Sequence, residues 1–202
     1  MNFDWQGILY ILPGIILGLT LHEFCHAWAS FKLGDDTAKS QGRLTLNPLK
    51  HIDPIGFAFL IFARFGWAKP VQFNMENLSH PRRDKALIAA AGPASNFLLA
   101  MFFVLLIKGY QAFLMRLVIA ENWDLIAYII ESSAVDIAIT VVIQAAYINL
   151  ALCFFNLLPI PPLDGSHIVF SGLNLAPETE RNIMKIGAPL LIVIILIQNF
   201  SG

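Results

Sequence analysis

Charge is scarce in this chain. Lys, Arg, Asp and Glu make up 13% of its 202 residues, about half the usual globular share. They nearly cancel, leaving a net charge of −1, so nothing points to nucleic acid or to a globally acidic substrate. Cysteine is scarcer still. Cys25 and Cys153, both in apolar runs, exclude a disulfide framework and a Cys-rich zinc site and read as buried reduced thiols. The opening Met1-Asn2-Phe3-Asp4 has no basic residue, unlike a signal peptide, so the apolar run after it reads as retained. Long repeats and low-complexity tracts are missing too. What is present is apolar: 57% hydrophobic residues and a mean hydropathy of +0.66. The length suits one domain over 1–202.

The expected fold class is all-α and polytopic in a membrane. Four segments have the length and apolarity of membrane helices: about Gly7 to Ser30 (ending at Gly34), Ala86 to Ile107, Ala134 to Leu158, and a shorter one from Ile186 to Phe200. Leu125–Ile130 and Phe57–Phe65 are apolar but too short to span, and read as interfacial or re-entrant pieces. The connection from Phe31 to Lys85 carries nine basic residues against five acidic ones; that from Lys108 to Ser133 carries two against three. By the positive-inside rule the first connection is cytoplasmic and the N-terminus external. Lys32 and Arg82-Arg83-Lys85 read as anchors at an anionic leaflet. Within the long connection, Gly42–Leu46 and Lys69–Phe73 alternate before Asn47-Pro48 and Asn74, which predicts a small membrane-associated sheet between helices one and two.

One motif stands out in the first segment. His22-Glu23-Phe24-Cys25-His26 puts two imidazoles four residues apart, hence on one helix face and in reach of one ion. His-Glu-x-x-His is the zincin pattern, in which the glutamate is the general base. Such groups are costly in hydrocarbon unless paired, metal-bound or wet. Gly14 and Gly18 continue the same stripe, and read as small residues for close helix packing. A catalytic zinc site takes three protein ligands and keeps an open position. The third is sought in Asn156-Leu157-Leu158-Pro159-Ile160-Pro161-Pro162-Leu163-Asp164-Gly165, where the prolines break the third helix on the same side of the membrane. Asp164 is the candidate.

Three stretches together resemble the site-2 protease family of intramembrane zinc metalloproteases. They are Gly18-x-x-x-His22-Glu23-x-x-His26, Ala91-Gly92-Pro93-Ala94-Ser95-Asn96, and Asn156-x-x-Pro159-x-Pro161-Pro162-x-Asp164-Gly165. The resemblance implies one Zn2+ per chain on His22, His26 and Asp164, with Glu23 as base. It also implies Asn156, and Asn96 with Gly92, as residues lining the site for substrate. There is no room for the PDZ or CBS domains of larger members, so the chain is similar to the small prokaryotic subgroup, and selection by such a module is not expected.

Other polar residues read more plainly. Asn149, seven before Asn156, reads as an interhelical hydrogen-bonding residue. His51 and His167 read as turn or surface histidines with a backup ligand role open, and His80 as interfacial. The expected function is endopeptidase cleavage of transmembrane segments of other membrane proteins, in a multi-pass prokaryotic cell-membrane enzyme whose site faces the cytoplasm. An edge from Arg43–Leu46 or Val71–Phe73 would hold the unwound peptide. The alternative is a non-catalytic metal-binding membrane protein or zinc transporter. Metal binding alone needs no base, and a transporter needs ligands along a path; here they cluster near one side.

Overall fold

A computed structural model describes residues 5–63, 66–173 and 175–200. It is built mostly of helices: α1 Trp5–Lys32, α2 Thr37–Ser40, α3 Pro54–Ala63, α4 Pro81–Ile119, α5 Trp123–Glu131, α6 Ser133–Asn156, α7 Asp164–Leu173 and α8 Pro177–Phe200. Three of these, α1, α4 and α6, are long and apolar enough to cross a membrane. They correspond to the first three expected spans. The helix α4 runs well past the expected end at Ile107. Its 39 residues reach about 58 Å at 1.5 Å per residue, nearly twice the hydrocarbon thickness. Lys108 ends the apolar run there without ending the helix, because nothing before Ala120 breaks the hydrogen-bond ladder. The short pieces are helices as well: Leu125–Ile130 falls in α5 and Phe57–Ala63 in α3, while Arg64 and Phe65 lie outside the described residues. The opening residues 1–4 do too.

The core is a three-helix arrangement of α1, α4 and α6, with α7 laid on α4. Small residues set the spacing. Gly14 of α1 lies against Ala145 and Ile148 of α6, and Gly18 against Asn149 and Leu152, so the two backbones approach as the glycine stripe predicts. Phe103, Ala145 and Ala146 pack with Leu99, Ile107 and Val142 between α4 and α6. Ala29, Leu78 and Ile88 form a second cluster under the long connection. Many large apolar side chains point outward, among them Leu98, Phe102, Leu105, Ile143 and Phe154. That is the surface a hydrocarbon solvent requires.

The expected sheet is absent among the described residues. Only one isolated antiparallel bridge forms, Ile52 with Ala68, extended by Lys69 N–H donating to the His51 carbonyl at 2.7 Å. The reason is visible in where the backbone donors go. Val71 N–H bonds the Glu23 carboxylate, and Asn74 N–H bonds the Asp35 carboxylate. Pro70 has no donor to give. Arg43 meets the Lys69 carbonyl with its guanidinium instead of its backbone. Side chains have taken the place of the partner strand. The asparagines after both segments act as the turn signals they resembled: Asn47 and Asn74 accept from Leu49 and Glu76 N–H, starting short 3-10 turns. Lys85 is not a leaflet anchor. It is buried in an ion pair with Glu180 that ties α4 to α8. Arg83 pairs with Asp84 at 2.8 Å.

Candidate active site

The helix α1 carries His22, Glu23 and His26 on its inner turn, all buried. The two rings meet edge to face, their centroids 4.6 Å apart. After the broken segment 157–163, Asp164 opens α7. Gly165 lets the start of α7 fold back onto the end of α6; a Cβ there would overlap the Leu157 and Leu158 carbonyls. This turn carries Asp164 Oδ2 to 3.1 Å from His22 Nε2 and 3.4 Å from His26 Nε2. The three ligand atoms all lie within 4.8 Å of one another.

The outer ring nitrogens decide what those inner atoms offer. His22 Nδ1 donates to Asn96 Oδ1 at 2.6 Å and His26 Nδ1 donates to the Ile88 carbonyl at 2.7 Å. The amide of Asn96 has its orientation set in turn: Nδ2 donates to the Gly18 carbonyl (3.2 Å) and to Asn149 Oδ1 (2.9 Å). Asn149 Nδ2 then donates to the Gly14 and Ala145 carbonyls. With both protons held at Nδ1, each Nε2 carries a lone pair. Two lone pairs and a carboxylate oxygen therefore face one another, and Asp164 Oδ2 is buried with no hydrogen-bond partner. A cation satisfies all three at once. Two imidazoles and one carboxylate, with a position left open, are a catalytic zinc set, and hydrogen bonds of this kind to the outer nitrogens orient such ligands. Gly92 leaves room on the opposite side. A Cβ there would overlap His26 Nε2 and the His22 ring.

Glu23 points away from the pair of rings into the connection. Its Oε2 accepts from Val71 N–H at 3.0 Å and lies 3.9 Å from Arg43 Nη2. Of the residues expected to line the site for substrate, Asn96 is fully buried and its amide is used inside the protein. Asn156 ends α6 half-buried, its amide nitrogen donating to the Leu152 carbonyl at 2.9 Å. Asn149 is the interhelical bridge it was read as. Neither His51 nor His167 joins the ligand group. His51 is buried with Nε2 on the Thr45 carbonyl. Burial, with Lys85 nearby, pulls the His167 imidazole down to about 4 against the opposing pull of Asp164. His80 is an exposed residue at the start of α4. Sequence reasoning missed Arg43 and Val71 as neighbours of Glu23. The only trace was their place in the alternating segments.

A family model described as Peptidase family M50 matches residues 10–196, from the first turns of α1 into α8 and across every residue of the site. The chain belongs to peptidase family M50. Membership bears out the resemblance to site-2 proteases and makes this chain a peptidase. The M50 chain is 42% identical over 160 residues to "Putative zinc metalloprotease YwhC" of Bacillus subtilis (strain 168), covering 79% of its own length and 67% of that relative. It is 32% identical over 195 residues to "Putative zinc metalloprotease Rip2" of Mycolicibacterium smegmatis, covering 94% of itself and 67% of the relative. A Rip2 of Mycobacterium tuberculosis (strain ATCC 25618 / H37Rv) is 29% identical over 203 residues, with 95% and 68% covered. The chain thus spans about two-thirds of the length of these relatives. No solved structure matches it.

Proposed function

We propose that this M50 chain is an intramembrane zinc metalloendopeptidase of the site-2 type, acting on membrane-protein segments, with zinc on His22, His26 and Asp164. The observation that carries the reading is the convergence of two imidazole lone pairs and an unpartnered buried carboxylate oxygen beside a second carboxylate, Glu23. Relatives that bear zinc metalloprotease names support the metal. Bound there, zinc supplies Lewis acidity to water and to the scissile carbonyl. Glu23 takes a proton from the attacking water and delivers it to the leaving amine nitrogen. Asn96 keeps His22 in the ligating tautomer, which leaves Asn156, at the open end of α6, as the amide that meets substrate.

A substrate helix hides its carbonyls in its own hydrogen bonds and must unwind before attack. The extended segment 69–73, next to Glu23, offers backbone to hold the opened peptide. α8 serves as a fourth span, supported by the apolar run Ile186–Phe200, and the basic connection between α1 and α4 places the site toward the cytoplasm of a bacterial cell membrane. One domain over 1–202 carries the activity. The test is cleavage of a tagged transmembrane substrate by the purified protein in liposomes. Glu23→Gln and a zinc chelator each abolish cleavage, and added zinc restores it after chelation. A Glu23→Gln enzyme that cleaves at the wild-type rate contradicts the assigned base.

A further inference from the structure

Arg43 is almost wholly buried, although it lies in the connection outside the spanning helices. Its backbone N–H donates to the Ala38 carbonyl at 2.9 Å, which fixes the residue to the end of α2. Nη2 donates to the Lys69 carbonyl and lies within ion-pair reach of Glu23 Oε2, 3.9 Å away, while Nε is buried without a partner. Two residues beyond Lys69, Val71 N–H bonds the same Glu23 oxygen. Both contacts with Glu23 thus fall on Oε2, and both come from one short run of backbone.

We infer that Arg43 is a positioning residue for Glu23: its guanidinium locks the carboxylate to segment 69–71, holding Oε2 and leaving Oε1 to take the proton from water. The inference rests on the reading of Glu23 as the base. An exposed pair at this distance would count for little. Here both side chains are nearly inaccessible, at 6% and 9%, so each charge lacks water and depends on the other. Lysine is a poor substitute, because a planar guanidinium serves a carbonyl and a carboxylate together and an ammonium is a single point charge.

The experiment compares wild type, Arg43→Gln, Arg43→Lys and Glu23→Gln, each loaded with zinc in liposomes with one tagged transmembrane substrate. Arg43→Gln keeps one zinc per chain and loses about tenfold to a hundredfold in kcat. Its KM moves by less than about twofold, the split expected when an interaction made only in the transition state is lost. Arg43→Lys falls between it and wild type. A second arm needs no cleavage: thermal unfolding of zinc-free wild type, both single variants and the double variant, where the Tm shifts of Arg43→Gln and Glu23→Gln are not additive. Additive shifts, an unchanged kcat, a KM rise as large as the kcat loss, or loss of zinc from Arg43→Gln would each overturn the inference. A Glu23→Gln enzyme with wild-type cleavage removes the base and this inference with it. Additive shifts alongside an inactive Glu23→Gln enzyme remove only the inference.

Discussion

Asn96 controls the site without touching the metal position. It fixes the proton of His22 on Nδ1 and is itself fixed by Asn149 and Gly18. Asn96→Ala removes that control, and zinc affinity falls about tenfold to a hundredfold, as read by competition with a chromophoric chelator. Gly92→Ala acts more directly. Its methyl enters the space beside both imidazoles, whose rings cannot swing aside while Asn96 and Ile88 hold them. Zinc content by elemental analysis then drops well below one per chain, and cleavage drops with it. His22, Glu23 and His26 were legible because four-residue spacing on a helix needs no tertiary knowledge. Asp164 was legible as the acidic residue after a proline-broken helix. The Ile88 carbonyl and Val71 N–H were not: they are backbone groups 62 and 48 positions away from the residues they hold, and backbone groups leave no mark in composition.

At the scale of elements, the connection between α1 and α4 is held by a carboxylate where a sheet was expected. Asp35 is fully buried and accepts from Ser30 Oγ, Thr37 N–H and Oγ1, Asn74 N–H and Asn77 Nδ2. Burial alone would raise its pKa, but these donors outweigh it and lower the group from 3.8 to about 2. A folded-state pKa below the unfolded one means that the ionised group stabilises the fold above pH 3.8 and that this is lost as pH falls toward about 2. Asp35→Asn therefore lowers Tm at neutral pH, and the gap to wild type closes across that acid window in a pH series of melting curves. Val71→Pro deletes the N–H that bonds Glu23 while keeping the segment extended. It lowers kcat with zinc retained, about tenfold or more. Alternation marked segments 42–46 and 69–73 correctly as extended backbone, but not what they pair with. A strand pattern reports side-chain faces and is silent on whether the ladder partner is another strand or a set of buried carboxylates.

On the scale of the whole molecule, hydropathy placed α1, α4 and α6 because the solvent they face is hydrocarbon along most of their length. It misjudged the length of α4 because a helix continues past the bilayer whenever its own hydrogen bonds allow. Orientation follows from the charge bias of the connections and is open to direct test. A cysteine placed at Lys39, in a variant with Cys25 and Cys153 replaced, is labelled by an impermeant maleimide in inside-out vesicles and protected in intact cells. The reverse pattern would put the site on the outer face. The central claim is the ligand set, and the zinc K-edge absorption spectrum of the purified protein tests it most directly. The account predicts two imidazole shells and one carboxylate oxygen at about 2.0–2.2 Å. A sulfur shell at about 2.3 Å, as from Cys25, or a spectrum with fewer than two imidazoles, would contradict it.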